Sequence, residues 1–397
     1  MTQLLVKGGR IVDPATSLDS LRDLRVRDGI IIEIGEHLQP AASEQIFDAS
    51  GAIVAPGFID MHVHLRQPGF PEKETIATGT EAAVRGGFTS VACMPNTNPA
   101  LDEPEVLRGL LRDARSQARC RVYPIGAITR GRRGAQPCDF AALAAAGAVA
   151  FSDDGDTVRD ASVLTDAALR AADLTAPLIE HCEPEEATVL RDLQIAREMK
   201  KAWHIAHVST AAALECIRSA RTQGTCVTCE VTPHHLTFTS ALAAQLGPAA
   251  TVHPPLRGQA DVEALRAGVR DGTIDAFASD HAPHTRAQKL GETAAPGFSG
   301  LEIAVGAYAA ALPDLPLMRF VALLSTNPAR ILGLRAGTLR IGEPADITIF
   351  ADRPWTVDPE TFASKGKCTP FAGQRLPRRV LATVVGGLVR HQAVETA

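Results

Sequence analysis

Between residues 58 and 279 the chain alternates eight short apolar or β-branched runs with amphipathic helical stretches, and this alternation limits the fold more than any other feature. The strand candidates are 58–64, 89–94, 121–125, 148–152, 177–181, 204–208, 226–231 and 274–279. Helical periodicity falls at 75–85, 105–117, 140–146, 162–172, 186–201, 211–222 and 262–270. A strand followed by a helix leads into a parallel neighbour, because the chain must travel back before the next strand can start. Eight such units close into a (β/α)8 TIM-type barrel. The two ends of the chain read differently. Runs at 4–6, 10–12, 23–27, 30–34 and 52–55, and again at 337–339, 347–350, 380–385 and 388–391, are strands broken by Gly, Pro and Asp. The expected architecture is therefore α/β. Residues 55–335 form the barrel, and 1–54 combine with 336–397 into a small β-sandwich domain.

Composition narrows the function. The formal net charge is −5, so there is no basic field to hold nucleic acid or an anionic membrane surface. The longest apolar run, 140–151, is too short for a membrane span of ~20 residues. The first residues show no basic segment followed by a long apolar one. Eight cysteines are scattered along the chain, which reads as reduced thiols and a cytoplasmic setting. Cys226 and Cys229 have CxxC spacing, but within a strand residues three apart face opposite sides.

Barrel enzymes place their chemistry at the C-terminal ends of the strands. Here those ends carry His62 and His64, Asp153 and Asp154, His181, His207 and Asp280, with His281 and His284 just beyond. Any one of these has an ordinary structural explanation. Together they are costly to bury without a shared partner. Imidazole and carboxylate are the donors that Zn²⁺ or a similar ion prefers, and six such groups with one shared carboxylate suit two ions.

The strand-end motifs resemble the class I dihydroorotases of the amidohydrolase superfamily. They are, in order, His62-Val63-His64-Leu65-Arg66-Gln67-Pro68-Gly69, Met94-Pro95-Asn96-Thr97, Asp153-Asp154-Gly155, His181-Cys182-Glu183, His207-Val208-Ser209-Thr210 and Ser279-Asp280-His281-Ala282-Pro283-His284. The HLRxPG and MPNT segments are the more specific to that family. The resemblance implies that His62, His64, Asp154, His181, His207 and Asp280 are metal ligands for two Zn²⁺. Asp154 rather than Asp153 would be the bridging group, and no lysine is available nearby to replace it. It also implies that His64, Arg66, Asn96, His253, His284, Pro296 and Gly297 contact substrate. The activity implied is reversible hydrolysis of L-dihydroorotate to N-carbamoyl-L-aspartate in pyrimidine biosynthesis. Hydroxide held between the metals would attack, and Asp280 would shuttle the proton. A homodimer, or association with an aspartate transcarbamoylase, fits the same resemblance. The metal ligands alone fit equally a hydantoinase or allantoinase that opens a neutral cyclic ureide. A non-catalytic companion of aspartate transcarbamoylase would not be expected to keep all six positions.

Three departures from the family pattern matter. Only Pro184 and Glu185 separate His181-Cys182-Glu183 from the next helical stretch, where the family has a much longer segment. A shortened connection could displace His181 or His207. His253 stands where asparagine is usual, and Ala295-Pro296-Gly297-Phe298 replaces a Pro-Phe-Gly arrangement. His234 and His235 read as packing or support. His204 reads as facing away from His207 by strand parity.

Overall fold

The computed structural model describes residues 3–291 and 293–393. The first strands are β1 (Gln3–Asp13), β2 (Leu18–Arg27), β3 (Ile30–Gly35), β4 (Gln45–Asp48) and β5 (Ile53–Pro56). There follow β6 (Phe58–Val63), β7 (Phe88–Cys93), β8 (Arg121–Gly126), β9 (Ala150–Ser152), β10 (Leu178–Glu180), β11 (Trp203–Ile205), β12 (Val227–Val231) and β13 (Ala276–Phe277). These last eight pair in parallel and in chain order. A bridge between Val63 and His281, with His64 N donating to His281 O at 2.8 Å, joins β6 to the segment after β13 and closes the barrel.

The barrel strands are buried on both faces, as parallel strands are. Inside, Met61, Ala92, Met94, Ile125, Ala150, Ile179, Ala206, Ala276 and Ala278 form one apolar cluster. Outside, helices lay their apolar stripes on the sheet: α1 (Ile76–Arg85), α2 (Pro104–Gln117), α3 (Phe140–Ala145), α4 (Ala161–Arg170), α5 (Glu185–Met199), α6 (Ala211–Thr222) and α8 (Gln259–Asp271), while α7 (Ser240–Leu246) packs Ala243 and Leu246 on a separate cluster with Phe238 and Val252. Leu107 and Leu110, Leu164, Val189, Leu214 and Ile217, and Leu265 are the buried faces of five of them. Each such side chain contributes ~1.5–3 kcal/mol of hydrophobic stabilisation. Thr75 and Thr210 cap α1 and α6 by accepting from the backbone N–H three residues on. Each cap is worth about 1 kcal/mol and also fixes the loop before the helix. Thr210 lies three residues after His207, so its cap steadies that strand end.

Strands from both chain ends make a second, mixed sheet: β14 (Ile347–Ala351) pairs antiparallel with β5, and β17 (Arg379–Val385) and β18 (Leu388–Gln392) extend it. Between them a small separate hairpin pairs β15 (Trp355–Thr356) with β16 (Arg375–Leu376). The large sheet is continuous, and its strands share one apolar core that includes Val6, Leu24, Val54, Ile347 and Val384. Phe58 N donates to Thr348 Oγ1 at 3.0 Å, and Arg121 pairs with Asp346 at 2.7 Å, which ties the sheet to the barrel.

Several elements differ from the sequence reading. Runs 4–6 and 10–12 are one strand with a bulge between Val6 and Gly9. Gly8 makes the bulge with φ +71°, where an added Cβ would stand 2.7 Å from Ser50 Oγ. β2 starts five residues earlier than expected, and Gly337–Leu339 is not a strand, although Leu339 N is held by Asp13 Oδ2 at 2.9 Å. Helices Ala304–Ala311 and Leu317–Leu324 were not anticipated, because the first is buried almost all round and has no amphipathic stripe. Among the described residues no helix is long and apolar enough to cross a membrane.

Candidate metal centre and substrate cavity

β6 ends by placing His62 and His64 at the barrel mouth, and the loops after β9, β10, β11 and β13 bring Asp154, His181, His207 and Asp280 to the same point. All six are buried. Asp154 Oδ1 lies 3.3 Å from His62 Nε2, 3.6 Å from His181 Nδ1 and 3.5 Å from His207 Nε2. Its other oxygen is 3.5 Å from His64 Nε2. Asp280 Oδ1 is 3.3 Å from His64 Nε2 and 3.6 Å from His62 Nε2. Asp153, by contrast, accepts from Ile128 N and Thr129 N at 2.9 and 3.0 Å and is turned to the neighbouring loop.

Two of the six, His207 (φ +31°) and Asp280 (φ +47°), sit on left-handed backbone, as does Arg66 (φ +59°) two residues after His64. Such a conformation costs a non-glycine residue on the order of 1–3 kcal/mol and persists where surrounding contacts hold it. The contacts are present. Glu185 accepts from Ser209 N at 2.8 Å and Thr210 N at 3.0 Å, just after His207. Asp60, on β6, accepts from Ser279 N at 3.1 Å, just before Asp280. Glu74 lies 3.3 Å from His281 Nε2 and accepts from Ser364 Oγ at 2.6 Å, just after it. The short connection therefore does not displace His181 or His207. Its Glu185, at the start of α5, pins the loop that carries His207, and the two rings meet with Nδ1 and Nε2 2.9 Å apart.

The cluster fits a metal on its own geometry. His62 Nε2 and Asp154 Oδ1 are buried and, among the described residues, have no hydrogen-bond partner. Ligands ~2.0–2.2 Å from a tetrahedral ion stand about 3.3–3.6 Å from one another. The separations around Asp154 and Asp280 match that spacing. His62, His64 and Asp280 form one group close enough to share an ion, and His62, Asp154 and His207 form another. Electrostatics agree. Burial by itself would raise the pKa of Asp154, but His62, His181 and His207 hold it well below the usual carboxylate range. Asp280 is held low by His64 and His62 against the same burial. Both are anions waiting for positive charge.

Beside the cluster is a cavity of about 170 Å³. His64, Arg66, Asn96, His253, His284, Pro296 and Gly297 line it, together with Asp154, His181, His207 and Asp280. Asn96 Oδ1 is 2.8 Å from His64 Nδ1, which leaves the Asn96 amide hydrogens for a ligand. His284 Nε2 donates to Pro296 O at 2.8 Å, and burial beside Arg66 pushes its pKa down to about 3, so the ring is neutral. Arg66 is buried, and burial lowers its pKa to about 10. Its Nε donates to Pro283 O at 3.3 Å, and its other end stands 3.3 Å from His284 Nε2. Among the described residues no carboxylate pairs with it.

Four supporting acids escaped the sequence reading: Glu230, Glu185, Glu74 and Asp60. Glu230 is the most consequential. Its Oε1 lies 2.7 Å from His62 Nδ1, and its Oε2 lies 3.3 Å from His204 Nε2. Burial would raise its pKa, yet His62 and His204 bring it down to about 2. His204 was expected to face away from His207. It does not, because the positive φ at His207 breaks the strand parity on which that expectation rested. The signal for Glu230 was a carboxylate inside the otherwise apolar run Val227–Val231, which needs a cationic partner to be buried. His235 bonds Thr232 Oγ1 at 2.7 Å and Pro254 O at 3.1 Å, and so supports the residue next to His253. His234 packs on Phe298.

Comparison with known proteins agrees with this site. Residues 51–210 match the dihydro-orotase-like family model. The chain is 44% identical to the dihydroorotase of Pelotomaculum thermopropionicum over 420 positions, covering 98% of both chains. It belongs to the dihydroorotase family. The dihydroorotase of Aquifex aeolicus is 41% identical, covering 98% of this chain and 99% of that one. Among solved structures, the L-hydantoinase of Arthrobacter aurescens superposes with a TM-score of 0.91 at 24% identity, covering 100% of this chain and 98% of that one. The dihydropyrimidinase of Brevibacillus agri NCHU1002 gives 0.87 at 21%, covering 98% and 95%. These two show the fold. Membership of the family makes the chain a cyclic amidohydrolase, and the family implies a metal.

Proposed function

We propose that the protein interconverts L-dihydroorotate and N-carbamoyl-L-aspartate, with two Zn²⁺ held by His62, His64, Asp154, His181, His207 and Asp280. We assign the catalytic unit to residues 55–335 and the companion β unit to 1–54 with 336–397. The observation that carries the substrate is Arg66. A buried guanidinium that has no carboxylate partner among the described residues, opening on the same cavity as the acid–imidazole cluster, is a seat for an anionic ring. A neutral cyclic ureide would leave it unpaired.

The substrate carboxylate sits on Arg66, with the Asn96 amide donating beside it and the His284 ring bordering the seat, and this turns the ring amide toward the cluster. Zinc held by these six residues would supply hydroxide near neutral pH, lowering the pKa of a bound water toward ~7, and would polarise the amide carbonyl. Asp280 Oδ1, fixed against His64 and His62, takes the proton from the attacking oxygen and delivers it to the ring nitrogen as the C–N bond breaks. Ring closure runs the same path backwards. Asp154 and His62 keep the cluster anchored throughout. The test compares kcat/KM for L-dihydroorotate with that for dihydrouracil, which lacks the carboxylate. A preference below tenfold would remove the anion seat from the account.

A further inference from the structure

The cavity rim carries a second set of donors. His181 turns Nδ1 toward His207 and Asp154, while its Nε2 is buried and, among the described residues, has no hydrogen-bond partner. Glu183 and His253 lie beside the same ring. One donor atom from each of His181, Glu183 and His253 fits within a mutual spread of 4.8 Å. The His253 ring lies over that of His181 with centroids 4.7 Å apart and planes 28° from parallel, and His253 Nε2 contacts the Glu183 carboxylate.

Two particular features of this chain bring the three together. Pro184 alone separates Glu183 from α5, so the glutamate stays at the rim. Residue 253 is a histidine whose following carbonyl, on Pro254, is held by His235. An ion pair between Glu183 and His253 alone leaves His181 Nε2 stranded, and a buried polar atom without a partner is destabilising. Two imidazoles and one carboxylate form a donor set suited to a borderline divalent cation.

We propose a third divalent-cation site, made by His181 Nε2, the Glu183 carboxylate and His253. The proposal rests on the reading of His181 Nδ1 as a ligand of the inner cluster. His181 would then bridge two ions through its two ring nitrogens, its one remaining ring proton, on Nε2, passing to solvent when the rim ion binds. Glu183 is half exposed, so this ion exchanges with solvent more readily than the inner pair.

The test is a count. Metal-free protein is dialysed to equilibrium against micromolar Zn²⁺, and zinc per chain is measured for wild type, Glu183→Gln and His253→Asn, with thermal melts to establish folding. The expected result is three equivalents for wild type and two for each variant. Two equivalents in wild type overturns the rim site and leaves the inner pair standing. Three in wild type and in Glu183→Gln places the extra ion elsewhere and also overturns it. Fewer than two in wild type refutes the inner pair and the rim site with it.

Discussion

Replacing Glu230 by glutamine tests whether the carboxylate behind His62 tunes the metal centre. In the native structure Glu230 Oε1 lies 2.7 Å from His62 Nδ1, and Oε2 is 3.3 Å from His204. This fixes the tautomer in which His62 Nε2 is free to face Asp154 and Asp280. Glutamine keeps the shape and one acceptor, so the ring orientation survives. The negative charge that makes the imidazole a better donor is lost. Loss of a carboxylate behind a ligating histidine costs about 10–100-fold in metal affinity, or ~1.4–2.7 kcal/mol. The same change leaves His204 facing a neutral amide, which adds to the cost, so the expected weakening is toward the upper end. Competition of the loaded protein against a chelator measures it directly. A melt of the metal-free variant checks that the barrel is intact. Unchanged zinc affinity, with a normal melt, would refute the idea that Glu230 acts through His62.

Other perturbations probe the remaining links. Arg66→Met removes two charge-assisted hydrogen bonds worth ~1.5–3 kcal/mol each, so KM for L-dihydroorotate should rise ~10²–10⁴-fold with kcat less affected; an unchanged KM counts against the anion seat. Asp280→Asn should lower turnover by ~10²–10⁴-fold or more, since it removes both a proton carrier and an anionic ligand; near-normal rates would remove Asp280 from the proton path. Chelation should abolish activity and lower Tm, because Asp154 and Asp280 then lie buried without a cation; an unchanged Tm would contradict the charge argument. Glu302 has its pKa raised to about 7 by burial, outweighing Arg85 and the Ala363 and Ser364 N–H groups. The folded state thus binds the extra proton between pH 4.5 and about 7, and stability should fall across that window as pH rises, by up to ~3 kcal/mol. Urea unfolding of Glu302→Gln at pH 5 and 8 should show that slope removed.

The barrel was legible because its cause is local. Apolar runs of five or six residues separated by amphipathic stretches allow few other closures, and β6 to β12 fall within about three residues of the runs read from the sequence. Parity serves within a strand while the backbone stays extended. It failed at His207, where φ turns positive, and this is why His204 was assigned to the wrong side. No pattern in a single sequence announces such a turn, because the residues that hold it, Glu185 with Ser209 and Thr210, are 24 and 25 positions apart.

The same distance in sequence hides the supporting acids. His62 meets Glu230 across 168 positions, and His281 meets Glu74 across 207. Residues that point into the mouth share a visible position, the end of a strand, and so can be collected by counting. Residues that support them share only a contact, and contacts are set by the closed barrel. Yet two of these acids left a trace as an ionisable group in a segment otherwise built for burial. Asp60 precedes His62 inside an apolar strand, and Glu230 sits between Cys229 and Val231. Burying an unpaired carboxylate is too costly to be incidental, so each of these positions required a partner before the fold showed which one.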